Sequence, residues 1–131
     1  MNKKALLILA LVVITGAGFL FIRNSKEKGQ FQEKVAQAVS SMAVDSSSAV
    51  SVDLSGYAFK QEIIKVKKDT KVTWTNKDSA KHTITGDEGN FIDSEAIGKN
   101  GTYEKVFDQT GTFQYHCNPH PTMLGAVIVV D

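Results

Sequence analysis

Thr112-Phe113-Gln114-Tyr115-His116-Cys117-Asn118-Pro119-His120-Pro121-Thr122-Met123 is the stretch from which the rest of the chain is best read. Its first half has the period of two of a strand, with Phe113, Tyr115 and Cys117 on one face and Gln114 and His116 on the other. The aromatic face belongs to a core, so Cys117 arrives at the end of a half-buried strand and His116 points away from it. The same period runs through residues 50–54, where Val50, Val52 and Leu54 alternate with Ser51 and Asp53. Residues 63–66, 72–75 and 102–107 are further short strands, rich in β-branched and aromatic side chains. A short β-branched piece spans 82–85, and a strand of continuous apolar character, 126–130, closes the chain. Short strands separated by polar turns predict an all-β sandwich over residues 50–131.

Composition removes several classes. The chain has 131 residues with 15 basic and 14 acidic side chains, a net charge of +1. It lacks the basic excess of a nucleic-acid binder. One cysteine excludes an internal disulfide and a zinc site of cysteine pairs.

The first 49 residues are of another kind. Lys3 and Lys4 precede an 18-residue charge-free run, Ala5–Ile22, and Arg23, Lys26 and Lys28 follow it. Two readings fit: an uncleaved membrane anchor across residues 5–22, or a signal peptide cut near Thr15-Gly16-Ala17. Phe19-Leu20-Phe21-Ile22 stay apolar past that cut, which favours the anchor. Either reading exports the C-terminal domain. Residues 24–49 form a linker, read as a short stalk helix carrying Phe31, Val35, Ala38, Val39 and Met42 at helical spacing, or as a disordered tether. The expected organisation is leader 1–23, linker 24–49 and domain 50–131.

Cys117, His120 and Met123 are spaced Cys-x2-His-x2-Met, and His82 is a fourth candidate far upstream. Two imidazoles, a thiolate and a weak thioether match a blue-copper electron-transfer site. Each residue alone has a plainer role: a small buried thiol, a satisfied histidine, a methionine filling the core. Zinc is compatible with Cys and two His but is poorly served by a thioether. A Cys–His nucleophile needs a substrate cleft that 82 residues of sandwich hardly provide. A domain this small buries only about 60–65% of its unfolded surface, so a metal would also serve as a staple.

These residues resemble the cupredoxins, the plastocyanin and azurin superfamily, and the short ligand loop is similar to that of the amicyanins. Gly125, the valine-rich last strand and Val72-Thr73-Trp74-Thr75-Asn76 with His82 carry the resemblance further. It implies an eight-stranded Greek-key sandwich. It implies one copper ion, cycling between Cu(II) and Cu(I), bound by His82, Cys117 and His120 with Met123 as the long axial ligand. It implies that Asn76 ties the two ligand loops and that the Thr83 N–H donates to the Cys117 sulfur. His120 would be the partly exposed ligand. Redox partner proteins would dock transiently on the apolar rim near His120, Pro121 and Leu124, with Pro119 beside them. Two departures stand out. Lys81 replaces the proline these proteins often carry before the first histidine, which removes a stiffening element. Leu124 replaces a charged residue, so the partner need not be shared with the amicyanins.

The expected function is therefore one-electron transfer outside the cytoplasm by a tethered monomer with no enzymatic activity. The domain's nine lysines against eleven acids leave little electrostatic steering. The alternative is a membrane-tethered protein that stores or delivers copper.

Overall fold

In a computed structural model of the chain, residues 16–87 and 92–131 are described, with the backbone alone for 16–24. The order is α1 (Gly16–Ser41), β1 (Ala49–Leu54), β2 (Ile63–Lys67), β3 (Thr70–Asn76), β4 (Thr85–Gly86), β5 (Thr102–Phe107), β6 (Gly111–Cys117) and β7 (His120–Val130). Most of the leader, Met1 to Thr15, lies outside the described residues, as do residues 88–91. Among the described residues no helix is long and apolar enough to cross a membrane.

The strands form two sheets, ordered β1-β3-β5 and β2-β7-β6-β4. β1 pairs parallel with β3, and β2 pairs parallel with β7. Alternation in the sequence becomes alternation in burial: Val72, Trp74 and Asn76 of β3 point inward, as do Phe113, Tyr115 and Cys117 of β6. Val52, Leu54, Val72, Trp74 and Phe107 from the first sheet meet Ile64, Val66, Phe113, Tyr115, Val127 and Val129 from the second. Trp74 and Tyr115 join the layers at their centre, where the indole Nε1–H donates to the phenol oxygen at 3.0 Å. Burial raises the Tyr115 hydroxyl far above its ordinary ionisation range, so it stays protonated. Gly125 makes room for that ring: a Cβ there would sit 2.3 Å from Tyr115 Cζ.

Seven strands stand where the resemblance implied eight, counted among the described residues. β7 starts at His120 rather than at residue 126. The two prolines and Gly125 hide it in the sequence, although a proline is tolerated near a strand's beginning. Its last part, 126–130, is apolar throughout because both of its faces are covered.

The second cover is α1. Phe31 and Val35, one turn apart, bury themselves with Ala126 against Ile63 and Leu124. Each contributes about 1.5–3 kcal/mol of transfer free energy before the entropy of ordering. Polar contacts flank them: Gln32 and Gln114 exchange amide hydrogen bonds of 2.7 and 2.9 Å, and Lys34 meets Glu62 at 3.1 Å. Lys65 Nζ donates to the Val39 carbonyl at 2.8 Å. The helical stripe expected from Phe31 to Met42 is thus buried only in its first half, with Val39 and Met42 exposed. The helix also runs unbroken across the 23/24 boundary drawn between leader and linker. Leu124, expected on a free rim, is half-buried beneath it.

Candidate metal centre

Three loops meet at one end of the sandwich. The first is a hairpin: β6 ends at Cys117, Asn118 and Pro119 turn, and β7 begins at His120, which pairs directly with Cys117. A register shift between His116 and Cys117 re-aims the end of the strand. The Cys-x2-His spacing is therefore the spacing of a two-residue turn. The second loop, between β3 and β4, delivers His82. Its backbone exchanges hydrogen bonds of 3.2 and 2.8 Å with Ile97, and its side chain is fully buried.

His82 Nδ1 and His120 Nδ1 lie 3.1 Å apart. Cys117 Sγ is 3.6 Å from the first and 3.5 Å from the second. A trigonal ion with bonds of about 2.0 Å to nitrogen and about 2.3 Å to sulfur would separate its donors by roughly 3.5–3.7 Å. The two sides that end on sulfur, 3.6 and 3.5 Å, fall in or beside that range, and the nitrogen–nitrogen side, at 3.1 Å, is shorter, so one ion fits with a narrowed angle between the two imidazoles. Met123 is buried in the same cluster as Cys117. His116 stays outside, as its strand position predicts, with Nδ1 on the Asp87 carboxylate and Nε2 on the Asn118 side chain.

The chemistry of the donors asks for a cation. Asp78 Oδ2 lies 3.0 Å from His82 Nε2. A carboxylate only accepts, so the proton sits on Nε2 and the Nδ1 lone pair points into the triangle. There it faces a second imidazole nitrogen and a sulfur that accepts the Thr83 N–H at 3.4 Å. Three converging soft and borderline donors suit copper.

Asp78 is a residue that sequence reading missed. It was one polar loop position among several. Besides His82 it accepts from the backbone N–H groups of Gly56, at 2.8 Å, and Tyr57, at 3.0 Å. Those two bonds, that of Tyr57 first, hold its carboxyl below the usual range. They also hold a tight corner in which Gly56 takes φ 61° at no cost and Tyr57, at φ 56°, carries the strain. Tyr57, the second missed residue, is thereby held edge-on to both histidine rings. In the sequence this third loop shows only as Gly56 breaking the alternation that runs through residues 50–54.

Asn76 plays a narrower part than the resemblance implied. Its amide donates to the carbonyls of Ala80 and Ile97, and its Oδ1 accepts the Asp78 N–H. The tie between the ligand loops is Thr83, which adds to its sulfur contact a hydroxyl that accepts the Asn118 N–H at 2.9 Å. Asp78 and Asn76 brace the loop that holds His82, in which Lys81 stands before the histidine. His120 is only partly buried.

A sandwich that closes a His–Cys–His triangle at one end defines a small metal-binding β protein. The chain belongs to the plastocyanin/azurin family of copper-binding proteins, whose profile matches residues 46–130. It is 32% identical over 82 residues to amicyanin-alpha of Methylorubrum extorquens, covering 60% of this chain and 69% of that one. It is 32% identical over 85 residues to amicyanin of Paracoccus denitrificans, covering 62% and 65%. The Cu(I) form of an amicyanin variant superposes with a TM-score of 0.61 at 30% identity, covering 66% of this chain and 86% of that one. Copper is accordingly the ion of this site.

Proposed function

We propose that the protein is a one-electron carrier of the blue-copper type, exported and held to the membrane through residues 5–22. Its ion is held by His82, Cys117 and His120, with Met123 as the weak fourth ligand. The observation that carries this reading is the donor triangle with one member, His120, partly open to solvent while His82 and Cys117 are fully buried. Copper supplies a Cu(II)/Cu(I) couple when bound. The chain's residues keep one geometry for both charge states. Asp78 fixes the His82 tautomer, Thr83 steadies the Cys117 sulfur, and the Cys117–His120 hairpin sets the distance between two donors. The partly exposed edge of His120 is the way out for the electron. Pro119 and Pro121 flank it, and partners dock there briefly. The likeness to the amicyanins supports this reading, and the domain acts without a substrate of its own.

The test is a Cu(II) titration of the full chain in detergent, since α1 packs on the domain and should be kept. One equivalent should give an intense visible band that ascorbate bleaches and reoxidation restores. A pale product would overturn the ligand set. Rapid electron self-exchange supports a carrier, whereas slow exchange with ready loss of copper to an apo-acceptor supports the delivery reading instead.

A further inference from the structure

The direction of α1 along the sandwich decides which end of the molecule faces the membrane. Glu27, Gln30 and Phe31 stand beside Thr122 and Leu124, near the start of β7. Val39 stands beside Lys65, which pairs with Ile128 near the end of β7. The helix therefore descends alongside β7 from the copper end towards the far end. Followed backwards, it continues from Glu27 to Gly16 past the copper end. At about 1.5 Å per residue the helix from Glu27 to Gly16 is roughly 16 Å long, of which about 7 Å runs beside the two strand residues between Thr122 and His120 and the rest passes beyond the copper end. The apolar run ends at Ile22, five residues before Glu27, which is about 7.5 Å of helix. Arg23 and Lys26 fall in that short interval and Lys28 follows directly, where cations meet lipid headgroups.

We infer that the copper end of the domain faces the bilayer at close range, so that the His120 edge serves a partner protein embedded in the same membrane. This rests on the membrane-anchor reading proposed above. Docking of Phe31 and Val35 leaves no free linker between anchor and domain, so the domain cannot turn its copper end outwards while α1 is seated. The gap between His120 and the lipid surface is too shallow for a globular protein arriving from solution. It admits a partner whose own redox group lies near the bilayer surface and which meets the carrier by lateral diffusion.

Two exposed positions report the orientation. Lys99 lies in the loop that follows Ile97 at the copper end, and Gln109 lies in the β5–β6 turn at the far end. The full chain, copper-loaded in phosphatidylcholine nanodiscs carrying a nitroxide-headgroup lipid, would bear a fluorescent amino acid at one or the other. Quenching is taken relative to discs without the nitroxide lipid, which removes the copper's own effect, and stronger nitroxide quenching at Lys99 is expected. Equal quenching, or stronger quenching at Gln109, overturns the inference and leaves the anchor reading intact. Extraction of the chain from membranes by carbonate overturns the anchor reading and the inference together.

A second measurement uses a Phe31→Asp/Val35→Asp variant, accepted only with the visible copper spectrum of the parent. Soluble cytochrome c should oxidise the reduced variant in nanodiscs at least about tenfold faster than the reduced parent, because the domain now swings free. Equal rates overturn the inference.

Discussion

Tyr57 meets His120 edge-on, with ring centroids 4.9 Å apart and planes at 80°, and meets His82 at 5.6 Å and 89°. The ring is more than half exposed, at 57%. It stands as a shutter against both imidazoles, of which His82 is fully buried and His120 only partly. Tyr57→Ala should preserve folding and the copper spectrum but quicken oxidation of the reduced protein by ferricyanide. An unchanged rate in stopped-flow measurements would mean that the ring does not restrict access.

Asp78 couples that shutter to the buried histidine. Asp78→Asn keeps the size of the side chain but weakens its hold on the Gly56 and Tyr57 amides and on the His82 tautomer. Faster release of Cu(II) to a chelator is expected. Acid should act in the same direction. The folded carboxyl titrates below the usual value near 3.8, so its stabilising effect is complete above that value. As pH falls below about 4 the unfolded chain takes the proton first, and the effect is gone once the folded group is protonated as well. The urea midpoint of the metal-free protein should drop over this window, and less steeply in the Asn variant.

Cys117→Ser removes the thiolate on which the intense visible band depends. The variant should bind Cu(II) weakly and without that band, a result read directly by absorption spectroscopy. Retention of the band would contradict the proposed ligands.

Tyr115→Phe leaves the buried Trp74 indole N–H without its acceptor. A loss of about 1–3 kcal/mol in unfolding free energy follows, with the copper spectrum kept. Gly125→Ala drives a methyl into the Tyr115 ring and should cost about 1–3 kcal/mol by overpacking. Chemical denaturation of both variants tests these figures.

Much of this architecture was legible because burial on one face imposes a period of two. Residues 72–75, 102–107 and 112–117 were placed within one or two residues of β3, β5 and β6. Two corners of the donor triangle, Cys117 and His120, were legible because a two-residue turn fixes the Cys-x2-His spacing, and His82 stood out only as a histidine left over. What escaped depends on contacts between distant parts of the chain. Nothing local to Asp78 says that its carboxylate will meet the amides of residues 56 and 57. Nothing near Phe31 says that its partner is Ala126. The early start of β7 was masked by prolines, whose cost depends on which backbone groups the neighbouring strands require.

β7 is the last of the described strands and the one flanked by both β2 and β6. It also carries His120 and Met123. A chain interrupted before residue 120 lacks the middle of a sheet and half of its proposed copper ligands together. Closure of the sheet and capture of the metal thus draw on the same eleven residues.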